Sequence, residues 1–156
     1  MSAAADATKM LNLRPATAQD MASVRALLEA NRLPTADLAD SRPEFVVAEA
    51  GALLIGVAGL QRFGNVALVR SLAVAGESRG SGVGSKLVCE LERLARAQGV
   101  DALVLLTETA ESFFASRGFR RTERGGLPPA ILATAEFRSL CPASAACMTK
   151  RLDGTA

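Results

Sequence analysis

The chain contains no histidine, tyrosine or tryptophan, and its 4% aromatic content is phenylalanine alone. Imidazole-based metal sites and catalysis by His or Tyr are therefore excluded. Cysteine is scarce: Cys89, Cys141 and Cys147 are an odd number without a Cys-x-x-Cys pair. That spacing argues against a disulfide framework or a zinc ribbon and makes reduced thiols, with no metal centre, the expectation. Neither sign of charge dominates, since 18 Lys and Arg offset 16 Asp and Glu to a net charge of +2. With so little aromatic surface for stacking as well, no nucleic-acid partner is expected. No apolar stretch is long enough to cross a bilayer, and the opening Met-Ser-Ala-Ala-Ala-Asp-Ala-Thr lacks a basic start leading into an apolar core. A cytoplasmic protein without membrane attachment is the expectation.

What is present suits one domain. The 156 residues are 49% hydrophobic and 22% charged, enough for a single core of ordinary size. Residues 1–10 read as a flexible tail and 11–153 as the domain. A short strand over Leu11 to Arg14 leads to Thr17-Ala18-Gln19-Asp20, a capping-box-like start for a helix whose apolar face is Met21, Val24, Leu27 and Leu28. Arg32 to Pro43 reads as a loop or broken helix. Phe45 to Glu49, Ala52 to Arg62 and Val66 to Val74 are apolar runs separated by Ala50-Gly51 and Gly64-Asn65, the pattern of successive antiparallel strands.

From Gly82, a helix with Val83, Leu87, Leu91, Leu94 and Ala95 inside and Lys86, Glu92, Arg93 and Arg96 in water runs to Gly99. Ala102 to Leu106 reads as a strand buried on both faces and reached by that helical crossover. A short helix over Glu111 to Arg117, a strand over Phe119 to Arg124, a helix over Pro128 to Leu140 and a last strand over Ala146 to Leu152 complete the order. The fold class is α/β in the α+β sense: a mixed, mostly antiparallel central sheet flanked by helices.

One segment carries chemistry. Leu72-Ala73-Val74 runs into a turn where Arg79 precedes three closely spaced glycines, and an amphipathic helix follows at once. Glycines just ahead of a helix let successive backbone N–H groups converge on an anion, and the helix dipole favours the same guest. A Walker loop is excluded because Ser85, not Gly, precedes Lys86 and Leu87 follows it. Gly80-Ser81-Gly82-Val83-Gly84-Ser85 also lacks the third glycine of a dinucleotide fingerprint at its proper offset.

Arg79-Gly80-Ser81-Gly82-Val83-Gly84 instead resembles the Arg/Gln-x-x-Gly-x-Gly/Ala motif of GNAT N-acetyltransferases. Arg14-Pro15-Ala16-Thr17, Leu72-Ala73-Val74 and Ala110-x-x-Phe113-Phe114-x-x-x-Gly118-Phe119 extend that resemblance across about residues 11–124. It implies the GNAT fold, acetyl-CoA as cofactor and a small-molecule amine acceptor, with a homodimer possible. Residues Arg79 to Ser85, including Ser81, would hold the pyrophosphate. Leu72, Ala73 and Val74 would hold pantetheine and polarise the thioester through the backbone, with Thr107, Phe113 and Phe114 completing the cofactor site. Leu33-Pro34-Thr35-Ala36-Asp37-Leu38, Arg70-Ser71-Leu72-Ala73-Val74, Leu105-Leu106-Thr107-Glu108-Thr109-Ala110 and Leu140-Cys141-Pro142 resemble the GNAT proteins encoded beside arsenic-resistance genes. That likeness implies an amino-acid-like toxin or arsenical as acceptor.

The same resemblance exposes a gap. Phe114 stands where relatives carry the tyrosine assigned to protonate the departing thiolate, and it has no proton to donate. Water or another residue would then serve, which a thiol pKa of about 8.5 tolerates. Candidate catalytic groups are Ser71, at a strand position where some relatives place a carboxylate, Glu108, and Cys141 as an acid. Glu108 also fits an exposed loop. Arg70, a charge within an apolar strand, needs a partner or faces a cleft; with Arg32 and Asp37 it is a candidate for substrate binding. Two alternatives stay open: a non-catalytic CoA-binding module, and an arsenical binder using its thiols.

Overall fold

The three apolar runs separated by glycine turns do fold back on one another. They form β2 (Glu44–Ala50), β3 (Leu53–Phe63) and β4 (Val66–Val74), each antiparallel to the next, with β1 (Leu11–Pro15) added at the β2 edge. The computed structural model describes residues 11–152. The expected tail at residues 1–10 lies outside the described residues, as does Asp153. The helix α1 (Met21–Ala30) begins after a 3-10 turn in which the Thr17 N–H donates to Asp20 Oδ2 at 2.7 Å. The expected cap is therefore present.

The helix α2 (Val83–Ala97) crosses over one face and returns the chain to β5 (Ala102–Thr107), parallel to β4. A helix α3 (Glu111–Ser116), a two-residue strand β6 (Arg120–Arg121) and the strand β7 (Ala146–Arg151) follow. The seven-stranded order is β1-β2-β3-β4-β5-β7-β6, with only the β4–β5 pair parallel. This is the expected mixed, mostly antiparallel sheet.

Alternating side chains divide the core. Leu87, Leu91 and Ala95 of α2 meet Val46, Ala48, Leu60 and Leu103 on one face. A β-carbon on Gly56 would stand 2.9 Å from Leu87 Cδ1, so β3 needs glycine there for α2 to lie this close. On the other face Val24 and Leu28 of α1 cover Phe45, Val47 and Val57, while Ile131 and Phe137 cover Leu68, Val104 and Cys147.

The sheet parts where the site lies. The strands β4 and β5 pair only at Val66↔Ala102, Ala67↔Leu103 and Leu68↔Val104. Beyond Leu68 a bulge intervenes: Gly59 pairs with Arg70 but Val57 with Ala73, so Ser71 and Leu72 together oppose Ala58. Ser71 sits at φ 59°, in the left-handed region. A bulge bends and twists its strand, which matches the separation of outer β4 from β5.

Three expectations are corrected. The helix expected over Pro128 to Leu140 is a turn at Pro129–Leu132, a break, and one wider turn at Glu136–Leu140. At the break the Thr134 hydroxyl donates to the Ile131 carbonyl at 2.7 Å and accepts from the Phe137 N–H at 3.4 Å, a local alternative to the helical ladder. The strand expected over Phe119 to Arg124 is reduced to Arg120 and Arg121, with one further bond from the Thr122 N–H to the Cys147 carbonyl at 2.9 Å before the Arg124–Gly126 turn. Glu92, expected in water, is buried and accepts from Lys150 Nζ of β7 at 2.8 Å, a compensated burial. The Arg32 to Pro43 stretch contains one helical turn, Leu38–Ser41, in keeping with a broken helix.

Candidate active site

The opening between β4 and β5 holds two adjoining cavities that share Asn31, Leu72, Thr109 and Ala110. The first, about 690 Å³, lies in front of the glycine turn and reaches Leu72, Val74, Arg79, Gly80, Gly82, Phe113 and Arg117. The first backbone bond of α2 runs from the Lys86 N–H to the Gly82 carbonyl. The amides of Val83, Gly84 and Ser85 thus have no acceptor within the helix. Gly80 and Gly82 take φ 81° and 88°, which only glycine adopts readily, and a β-carbon on either would meet no protein atom within 4 Å. Val83, Gly84 and Ser85 line the same cavity, so the turn and helix start have the geometry of an anion cradle.

Around the cradle, Arg79 Nε donates to the Val74 carbonyl at 3.3 Å and Nη2 to Asn31 Oδ1 at 2.5 Å, tying the turn to the end of α1. The Ser81 hydroxyl turns back to the Ser78 carbonyl, and Ser85 Oγ accepts from Arg117. Arg117 also lies over the Phe113 ring, 5.3 Å from its centroid, and its Nε is buried without a hydrogen-bond partner among the described residues. Thr107 Oγ1 accepts from the Ala110 N–H at 3.0 Å and so caps the turn into α3. Phe114 is buried edge-on against Phe113 and Phe119, with centroids 5.1 and 5.4 Å away.

The second cavity, about 520 Å³, is lined by charged and reactive groups from four separate segments: Arg32, Arg70 with Ser71, Glu108, and Glu136 with Cys141. Arg70 is wholly buried. Its Nη1 and Nη2 donate to the two carboxylate oxygens of Asp37 at 2.5 and 2.7 Å, and its Nε donates to Ser71 Oγ at 3.2 Å. Glu136 Oε2 stands 3.5 Å from Nη2. Cys141 Sγ lies 3.7 Å from Glu136 Oε1.

The electrostatics follow from these contacts. Hydrogen bonding from Arg70 holds the Asp37 carboxyl below its ordinary range. Burial pushes Glu136 up, with the Asp37 charge adding to it and Arg70 opposing. Burial, with Glu136 beside it, pushes the Cys141 thiol up to about 12. A thiol held there keeps its proton and is a poor donor to a thiolate whose own pKa is about 8.5.

Of the expected cofactor residues, Leu72 to Val74, Arg79, Gly80 and Gly82 to Ser85 surround one cleft, with Phe113 beside it and Thr107 and Phe114 lining the adjoining cavity; Ser81 does not line it and turns back to Ser78. Ser71, Glu108, Cys141, Arg32 and Arg70 converge on that second cavity, whereas Asp37 sits behind Arg70. Cys89 is exposed on α2 and Cys147 is buried under Phe137, so the three thiols do not gather. Asn31, Arg117 and Glu136 were not anticipated. Glu136 had a legible signal: an acid with Leu132 and Leu140 four residues to either side is flanked by apolar groups on one helical face.

Comparison with known proteins agrees with this geometry. The acetyltransferase (GNAT) domain model matches residues 41–121. An amino-acid acetyltransferase from Ralstonia nicotianae is 31% identical over 134 residues, which cover 78% of this chain and 29% of that protein. N-acetylglutamate synthase from Neisseria gonorrhoeae, crystallised with coenzyme A and L-arginine, superposes with a TM-score of 0.78 at 24% identity over 91% of this chain and 33% of its own. A Mycobacterium tuberculosis protein in complex with CoA superposes at 0.76 with 22% identity, over 90% and 98% of the two chains. The chain therefore spans about a third of the length of the first two relatives. Just over half of it lies within the matched domain, and it belongs to the GNAT acetyltransferase family.

Proposed function

We propose that the protein is an N-acetyltransferase that moves the acetyl group of acetyl-CoA to the primary amine of a small, amino-acid-like molecule by direct attack. The observation that carries this reading is the pair of adjoining cavities: a donor-lined cleft for a diphosphate opens, past Leu72, into a charged cavity of amine-acceptor size. When bound, acetyl-CoA supplies the thioester. The β5-facing edge of β4, which pairs with β5 no further than Leu68 although its other edge stays on β3, offers main-chain groups to the pantetheine arm and an N–H to the thioester oxygen. Alignment of two reactants alone contributes roughly 7–11 kcal/mol.

An amino-acid acceptor is supported by the likeness to the amino-acid acetyltransferase of Ralstonia nicotianae and by Arg32. That side chain lines the acceptor cavity with no partner among the described residues, and its backbone is turned there by a left-handed φ of 58°. It suits a carboxylate. The arsenic-linked version of the reading, an arsonic or phosphinic amino-acid analogue as acceptor, rests on the segments quoted above and on the same cavity. Cys89, Cys141 and Cys147, all free, fit a reducing cytoplasm. A second reading, a CoA-binding module without turnover, is favoured only by the missing hydroxyl at Phe114.

The test is CoA release, followed by thiol titration, with L-amino acids, polyamines and arsonic or phosphinic amino-acid analogues as acceptors. Saturable release with an amino acid or analogue is the expected result. Tight CoA binding with no release from any acceptor would favour the module.

A further inference from the structure

Several groups in the acceptor cavity could take a proton, and their surroundings differ. The Ser71 hydroxyl is engaged by Arg70 Nε. Glu108 is exposed at the rim, where water screens it. Every nitrogen of Arg70 is directed at protein: Nε at Ser71, Nη1 at Asp37 and Ser41, Nη2 at Asp37 and Glu136. Glu136 is different. It is 5% exposed, lines the cavity, and is held by Arg70 across 3.5 Å, beyond ordinary hydrogen-bond length. Because Asp37 takes the bidentate face of Arg70, Glu136 Oε2 feels the cation without an ordinary hydrogen bond to it, while Oε1 accepts weakly from the Cys141 thiol at 3.7 Å.

We propose that the Glu136 carboxylate takes the proton from the acceptor's ammonium group, and that Arg70, pinned by Asp37, is the positioning residue that holds it there. This rests on the acetyl-transfer reading above. The step balances as follows. Glu136 removes one proton from R–NH3+ and later returns it to water. The freed lone pair forms the C–N bond as the C–S bond breaks, and the second proton given up by nitrogen ends on the departing sulfur. Asp37 from the segment before Leu38, Arg70 from β4, Cys141 beyond its own turn, Glu108 after β5 and Arg32 at the mouth are the charged or titratable groups around it. Burial raises the Glu136 pKa, which moves a carboxylate toward the range where a general base works best.

The test uses two variants of the full chain. E136Q should keep the wild-type affinity for CoA by calorimetry while kcat, with the best acceptor of the panel, falls about 100-fold or more. Its residual kcat should climb about tenfold per pH unit below the pKa of the amine, because only pre-formed free amine then reacts. In D37N the loss of one negative charge and the release of Arg70 toward Glu136 should move the acidic limb of the wild-type pH profile to lower pH. A purely structural contact would not move it. A readout independent of turnover is 13C titration of the glutamate carboxyls in the free protein: one signal should titrate above the usual value of about 4.3 and be missing from E136Q. A wild-type kcat and pH profile in E136Q, or titration of its signal at or below that value, overturns the proposal while leaving acetyl transfer intact. A wild-type protein inactive on the whole panel defeats the acetyl-transfer reading and this proposal with it.

Discussion

The two halves of the opened sheet solve recognition in opposite ways. The candidate cofactor cleft takes its main-chain N–H groups and one exposed arginine from a single stretch, residues 72–85, with Asn31, Phe113 and Arg117 completing its wall. The candidate acceptor cavity is built from residues near 32, 70, 108, 136 and 141, and at its centre the buried charges of Arg70 and Glu136, with Asp37 behind them, satisfy one another. Main-chain recognition asks for a local conformation and open space. Buried charge asks for partners brought from far along the chain, since an uncompensated ion in a core is costly. Changes in the first half should therefore weaken binding while sparing the fold, and changes in the second should threaten both.

The largest expected effect tests that division directly. R70M leaves Asp37 and Glu136 without their cation, and removal of one partner from a buried ion pair costs about 3–5 kcal/mol. For a domain of this size that lowers Tm by roughly 6–20 °C, measurable by thermal unfolding. A Tm within a degree or two of wild type would break the comparison.

Next comes G82D, which puts a β-carbon at φ 88° and a carboxylate into the cradle. CoA affinity by calorimetry should fall at least tenfold, about 1.4 kcal/mol, with a smaller loss of Tm than in R70M. R79A, which removes an exposed cation, should weaken CoA about tenfold and leave Tm nearly unchanged.

The smallest effect sharpens the comparison within the acceptor half. Asp37 has a lowered folded pKa, so its contribution is present above its unfolded value of about 3.9 and is lost as pH falls through the folded one. Glu136 has a raised folded pKa, so its contribution is greatest below its unfolded value of about 4.3 and is lost as pH rises through the folded one. At pH 8, D37N should therefore lower Tm, whereas E136Q should leave it level or slightly higher. Equal losses in both would show that the two carboxylates are not in opposed environments.

The order of elements, the hairpins and the glycine turn were legible because each rests on local rules: apolar alternation, turn residues, and glycine ahead of an amphipathic run. The Pro128 to Leu140 stretch was not, because Thr134 offers its hydroxyl to the backbone and breaks a helix that propensity favours. Glu92 was misplaced in water because its partner, Lys150, lies 58 residues away. The guanidinium of Arg70 was visibly in need of a partner. Which acids supplied it was not visible.

Thus short-range chemistry in the chain was enough to dictate the glycine turn and helix start from Arg79 to Ser85, where the local backbone conformation matters more than side-chain identity. Only the three-dimensional fold assigned Asp37 to Arg70, left Glu136 buried beside them and parted β4 from β5 at a bulge. Those outcomes depend on Coulomb forces and packing across more than thirty residues of intervening chain, and no local pattern encodes which distant groups will meet.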